Sequence, residues 1–277
     1  MIEPLDYFAA LVQTDQDIPL FEAALTLAHD AEPQLDLSAA QADVDAMAAK
    51  LRRRLPGDAG QIQKVRTLNQ FFYRELGFGG NVNNYYDPDN SYLHRVLKTR
   101  RGIPISLALI YIEIAQQIGL EVKGISFPGH FLMRLSVPSG EIVIDPINGD
   151  SLSREELEER LEPFIDQIRH AGKPLVDYIE PASSRAILVR MLRNLKALFT
   201  DRERWQRLLG VQERLLILLP DDVAERRDRG LAFAQLNCPK SALEDLSAYL
   251  AQRPDAADAD VIRQKLPALR QANRRLN

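Results

Sequence analysis

His130 and Asp145 are the residues whose types and spacing best suit chemistry. An imidazole titrates near neutral pH, and a carboxylate beside it fixes its tautomer and stabilises its protonated form, which makes a general base. The surrounding pattern predicts strands over Glu121–Phe127, His130–Val137 and Glu141–Asp145, with a turn at Pro138-Ser139-Gly140. Proline suits the second position of a type I turn and glycine the last. A four-residue loop from Val137 to Gly140 then pairs Ser136 with Glu141. It sets Asp145 opposite Leu132, on the face of His130 and one diagonal step away. A three-residue loop would pair Asp145 with Met133 and turn it to the other face, because a slip of one residue inverts a strand. Turn chemistry favours the His–Asp contact. The alternative is a histidine at a strand end bonded to a backbone carbonyl, with Asp145-Pro146 opening a turn.

Other chemical groups are few. Ser106 could be a nucleophile only with a strong base and an oxyanion site; otherwise it is a small residue bonded to its own helix. The single cysteine, Cys238, precedes a proline between helices and is read as structural. One cysteine excludes an internal disulfide and a cysteine-rich zinc site. His29, His94, His130 and His170 have no zinc spacing. Asp87 and Asp89 lack the ligand spacing of a calcium loop and are read as turn formers. Gly77-Phe78-Gly79-Gly80 does not lead directly into a helix, so it is not a phosphate loop. No metal and no cofactor are expected.

The elements that must position these groups are mostly helical. Apolar residues at helical spacing predict helices over Ile18–His29, Ser38–Arg54 and Gln61–Leu76. The polar stretch from Gly79 to Asn90, rich in Asn and Tyr, is an ordered loop held by side-chain hydrogen bonds. A short helix follows to Leu97. A buried helix then runs from Pro104, well placed in a first turn, to Gln117. From Ser183 onward helices repeat: Pro220 and Pro254 are 34 residues apart, the tetratricopeptide period. Gly230, Phe233, Ala242, Leu246 and Pro254 sit at the expected places; in the preceding unit Leu208 stands where a small residue is usual.

The net charge of −4 hides an asymmetry: Lys and Arg number 18 against 12 Asp and Glu from Ser183 on, but 17 against 27 before it. Either the two parts attract one another or the basic part faces an acidic partner. Nucleic acid is not expected, because the basic part is only moderately basic and lacks interleaved aromatics. The N-terminal residues carry no apolar run of signal-peptide length, and the longest apolar run, Ile103–Ile118, is too short to span a bilayer. No membrane association is expected, and the lone cysteine suits the cytoplasm.

Five blocks carry a resemblance: Gly77-Phe78-Gly79-Gly80-Asn81, Tyr85 through Leu93, Arg101 through Leu107, Phe127 through Leu132, and Ile144-Asp145-Pro146. In this order they resemble the bacterial SirB-type family, which joins a transglutaminase-like domain to TPR-like helices. Ile147 departs from the family's usual Asp-Pro-Phe. The resemblance implies an α+β protein: a helix-rich papain/transglutaminase-like domain with a small antiparallel sheet over residues 1–182, then an all-α TPR-like region over 183–277. The wider superfamily uses a Cys-His-Asp triad whose cysteine opens a helix two residues after a glycine. Counted from Gly102, that place holds Pro104; His130 and Asp145 match the other two members. A proline cannot attack a carbonyl. The resemblance therefore implies a regulatory or protein-interaction module with a retained His–Asp cleft, lined by Asn81, Tyr86, Asn90 and Arg101, and a protein or peptide partner on the TPR-like helices. The competing expectation is a hydrolase or transferase of atypical mechanism, with His130 as base, Asp145 orienting it and Ser106 as the less favoured nucleophile.

Overall fold

The computed structural model describes residues 3–137, 140–164 and 175–276. Pro138 and Ser139 of the predicted turn, and His170, lie outside them. Two compact units divide the chain: Gln13–Met191, and Met1–Val12 together with Leu192–Asn277.

In the first unit, α2 (Leu20–Thr26), α3 (Leu37–Arg52) and α5 (Leu93–Thr99) pack on α6 (Pro104–Gln117). Ile105, Leu107, Ala108, Ile110, Tyr111 and Ile114 are all buried along α6. A helix apolar on every side has to be enclosed on every side, so α6 is the core. Strands β3 (Val122–Ile125), β4 (Leu132–Val137), β5 (Gly140–Ile144) and β6 (Ser151–Leu152) form an antiparallel meander, and β3 and β4 contact α6. Ser136 pairs with Glu141 and Met133 with Ile144, the register that the four-residue turn predicts. Continuing that register by one step sets Asp145 opposite Leu132. Helices α7 (Arg154–Leu161) and α8 (Leu175–Tyr178) follow.

The predicted helix Gln61–Leu76 is divided. α4 covers Gln61–Asn69, and Gln70–Glu75 continues as a π-helix. The wider turn aims Tyr73 at the loop after β5, where its hydroxyl donates to the Pro146 carbonyl at 3.2 Å. The polar loop is ordered, as predicted, but it also contains a strand that local patterning could not reveal. β1 (Gly79–Gly80) pairs in parallel with β2 (Arg101–Gly102).

Helix α9 (Ser184–Asp201) leads into the second unit, which contains α1 (Pro4–Leu11), α10 (Trp205–Leu218), α11 (Val223–Gln235), α12 (Pro239–Gln252) and α13 (Ala259–Leu276). Neighbouring helices from α10 to α13 pack in sequence. Gly230 permits the close approach of α11 and α12: a Cβ there would lie 2.9 Å from Leu246 Cγ. Ion pairs reinforce the stack. Arg229 forks onto Asp245 at 2.7 and 2.9 Å, and Lys196 reaches Glu225 and Asp228 at 2.5 and 2.6 Å.

One side chain organises the front of the first unit. Asn90 is 3 % exposed. Its amide nitrogen donates to the carbonyls of Asn84 (2.7 Å) and Tyr85 (3.0 Å), and its amide oxygen accepts from Asn81 Nδ2 at 2.9 Å. Asn90→Ala removes all three bonds and leaves their partners unsatisfied. The expected cost is about 2–4 kcal/mol, read as a lower urea midpoint at unchanged m-value. A midpoint equal to the wild type's would show that the loop does not depend on Asn90.

Candidate functional site

The front network extends to the start of α6. Asn90 O accepts the Ser106 hydroxyl at 2.6 Å, and Ser106 Oγ accepts the Ile103 N–H at 3.1 Å. Ser106 is fully buried. It therefore accepts the N–H of the N-cap residue Ile103, the part that the third helical residue plays in a capping box. Pro104 occupies the first helical position, as predicted. Arg101 Nη1 donates to the carbonyls of Gly77 and, at 3.1 Å, Arg100. Tyr86 stands on the outside of the loop, 71 % exposed, with its ring edge-on to Tyr85 at 5.4 Å. Asp87 accepts from Asp89 N–H and Asn84 Nδ2, as expected of a turn former. Cys238 is exposed in the second unit, just before α12. Among the described residues no three His, Cys, Asp or Glu side chains converge as metal ligands.

His130 lies in the turn before β4, two residues ahead of the strand that was predicted to begin with it. Its N–H donates to Phe127 O at 3.1 Å. Pro128 followed by Gly129 at φ +67° has the residue order of a type II turn. Glycine is needed here twice over, since a Cβ would also lie 2.4 Å from the Phe164 ring. Phe164 closes the 3-10 turn Glu162–Phe164 that continues from α7, so this segment covers the turn carrying His130.

The same segment takes up the carboxylate. Arg160, in the last turn of α7, places Nη2 2.8 Å from Asp145 Oδ2, with the two side chains 27 % and 14 % exposed. Asp145 Oδ1 accepts the Ile147 N–H at 2.9 Å, closing an Asx turn at Asp145-Pro146. Among the described residues the His130 ring forms neither a hydrogen bond nor an ion pair. The fold brings His130 and Asp145 into one electrostatic neighbourhood while bonding the carboxylate to Arg160. Burial holds the His130 pKa below 6.5; the charge of Arg160 lowers it further, Asp145 pulls it upward, and Arg190 again lowers it. The imidazole is therefore neutral at pH 7.

Arg190, on α9, grips the other side of this turn. Its Nη1 donates to Phe127 O at 2.8 Å and to Ser126 Oγ at 2.9 Å, and its guanidinium lies 5.7 Å from the Phe131 ring centre. Arg160 and Arg190 were not singled out in the sequence, where each is one more basic residue on a helix.

This arrangement defines a transglutaminase-like domain followed by tetratricopeptide helices, and the comparisons agree. The transglutaminase-like superfamily matches residues 38–193, and a tetratricopeptide repeat family matches residues 195–267. A UPF0162 protein of Xylella fastidiosa is 40 % identical over 250 residues, covering 90 % of this chain and 89 % of its own. The UPF0162 protein YchA of Escherichia coli is 31 % identical over 74 % of this chain and 75 % of its own. Protein SirB1 of Salmonella typhimurium is 31 % identical over 74 % and 76 %. The chain belongs to this SirB1/UPF0162 family of transglutaminase-like proteins. No solved structure matches it.

Arg160→Gln leaves the Asp145 carboxylate without its cation in a partly buried place. Exposed pairs contribute up to about 1 kcal/mol and fully buried ones lose about 3–5 when broken; a loss of about 1–3 kcal/mol is expected here. Urea unfolding of the variant measures it, and an unchanged midpoint would mean that the pair is incidental.

Proposed function

We propose that this protein is a nucleophile-deficient transglutaminase-like module that works by binding, with a regulatory or protein-interaction role. The observation that carries the reading is that the nucleophile's place and the orienting carboxylate are both taken out of a triad, leaving the imidazole alone. Pro104 stands at the helix start where the superfamily's layout calls for cysteine, and it has no nucleophilic atom. Ser106 is buried, with its hydroxyl bonded to the Asn90 carbonyl. Asp145 is paired with Arg160. What remains is a half-buried neutral imidazole next to the Arg160 and Arg190 guanidiniums, which suits recognition of a ligand.

The tetratricopeptide match supports a protein or peptide partner on α10 to α13, since such stacks offer extended surfaces to peptide segments. Among the described residues no helix is long and apolar enough to cross a membrane. Our reading places the protein in the cytoplasm, where the exposed Cys238 thiol stays reduced.

A second reading has one observation in its favour: an imidazole kept neutral at pH 7 is in the form a general base needs. The two readings separate by experiment. The full chain is incubated with ester and amide acyl probes and followed by intact mass and by product release. The binding reading expects neither an acyl adduct nor turnover. A stoichiometric adduct at one residue, or turnover abolished by His130→Ala, would overturn it in favour of an atypical hydrolase.

A further inference from the structure

The Phe127 carbonyl oxygen accepts two donors, the His130 N–H at 3.1 Å and Arg190 Nη1 at 2.8 Å. That shared acceptor fixes a guanidinium against the turn that carries the imidazole. Every polar partner of Arg190 among the described residues is neutral: a carbonyl, the Ser126 hydroxyl and the face of Phe131. The adjacent carboxylate, Asp145, is paired with Arg160. A guanidinium does not lose its proton in a protein, so the charge at Arg190 persists, and among the described residues no carboxylate pairs with it. Tyr85, 49 % exposed and held through its own carbonyl by Asn90, lies within electrostatic reach of it. Arg190 and His130 are themselves only partly buried.

We propose that Arg190, flanked by His130 and Tyr85, is an anion subsite that receives a peptide carboxylate. This rests on the binding reading above and names the chemistry of its ligand. The charge balance selects a monoanion. Among the described residues Arg190 has no carboxylate partner, since Asp145 is paired with Arg160. A carboxylate completes the count, with the Arg190 fork and a neutral imidazole N–H as donors. A phosphate dianion would leave one charge unmet in a partly desolvated place. The half-exposed Tyr85 phenol gives the rest of a short peptide apolar surface to lie against.

The test uses the full chain and three probes: an N-acetylated tripeptide with a free C-terminal carboxylate, the same peptide as its amide, and inorganic phosphate. The His130 ring signals in ¹H–¹³C spectra report occupancy. The carboxylate peptide is expected to shift them saturably and raise the His130 pKa, because it brings a negative charge beside the ring. The amide is expected to bind on the order of tenfold more weakly or not at all, as loss of one charge-assisted bond dictates. Arg190→Gln should abolish the preference for carboxylate over amide, while Arg190→Lys, which keeps the charge and loses the fork, retains part of it. Thermal unfolding of both variants checks that they fold; should Arg190→Gln unfold, the carboxylate-against-amide comparison in wild type and Arg190→Lys still decides. Equal binding of peptide and amide, tighter binding of phosphate than of peptide, or full preference in a folded Arg190→Gln would each overturn the subsite. Failure of the binding reading shows separately, as an acyl adduct or turnover with the acyl probes.

Discussion

The ion pair between Arg160 and Asp145 sets the electrostatic character of the surroundings of His130. In a Cys-His-Asp layout the carboxylate orients the imidazole and raises its affinity for a proton. Here one carboxylate oxygen meets a guanidinium at 2.8 Å and the other accepts the Ile147 amide. Asp145 then acts on His130 only through space, and burial together with two arginines outweighs it. The imidazole is neutral, and a cation, Arg190, is held against the turn that carries it.

Behind that pair, the polar parts of the fold are joined by hydrogen bonds that leave few groups free to react. Asn90 holds the carbonyls of Asn84 and Tyr85 with its amide nitrogen and, through its own backbone oxygen, the hydroxyl of Ser106. The loop and the start of α6 are thereby one piece. On the other side, Tyr73 and Asn69 hold the carbonyls of Pro146 and Gly149, which positions the loop that Asp145 opens. Tyr111, from the middle of the buried α6, completes the connection by donating to Asn69 at 2.7 Å. The core helix, the π-turn and the Asp145 loop are linked through side chains that are largely buried, where each bond is expensive to lose.

Much of this was legible in the sequence because it is local. The Val137-to-Gly140 turn specifies the register of β4 and β5, proline at the first position marks the start of α6, and the 34-residue spacing of Pro220 and Pro254 reveals the tetratricopeptide stack. The Asn–Tyr loop was read as ordered by side-chain bonds, and Asn81 and Asn90 do bond to each other. What escaped was long-range. Arg160 and Arg190 look like solvated helix positions until the chain folds, and only then do they face Asp145 and Phe127. The pairing of Gly79–Gly80 with Arg101–Gly102 and the π-turn at Gln70–Glu75 have no periodic signature. Ser106 has the residue type of a nucleophile, but its burial and its bond to Asn90 are tertiary facts.

The most direct measurement is the ionisation of His130 in the intact wild-type protein, followed by NMR of its ring protons across pH 4–9. If Asp145 belongs to Arg160, the midpoint falls below 6.5, the ordinary value for an imidazole. A midpoint above it would mean that the carboxylate serves His130 after all, and the pair would then have to be read as an acid–base site.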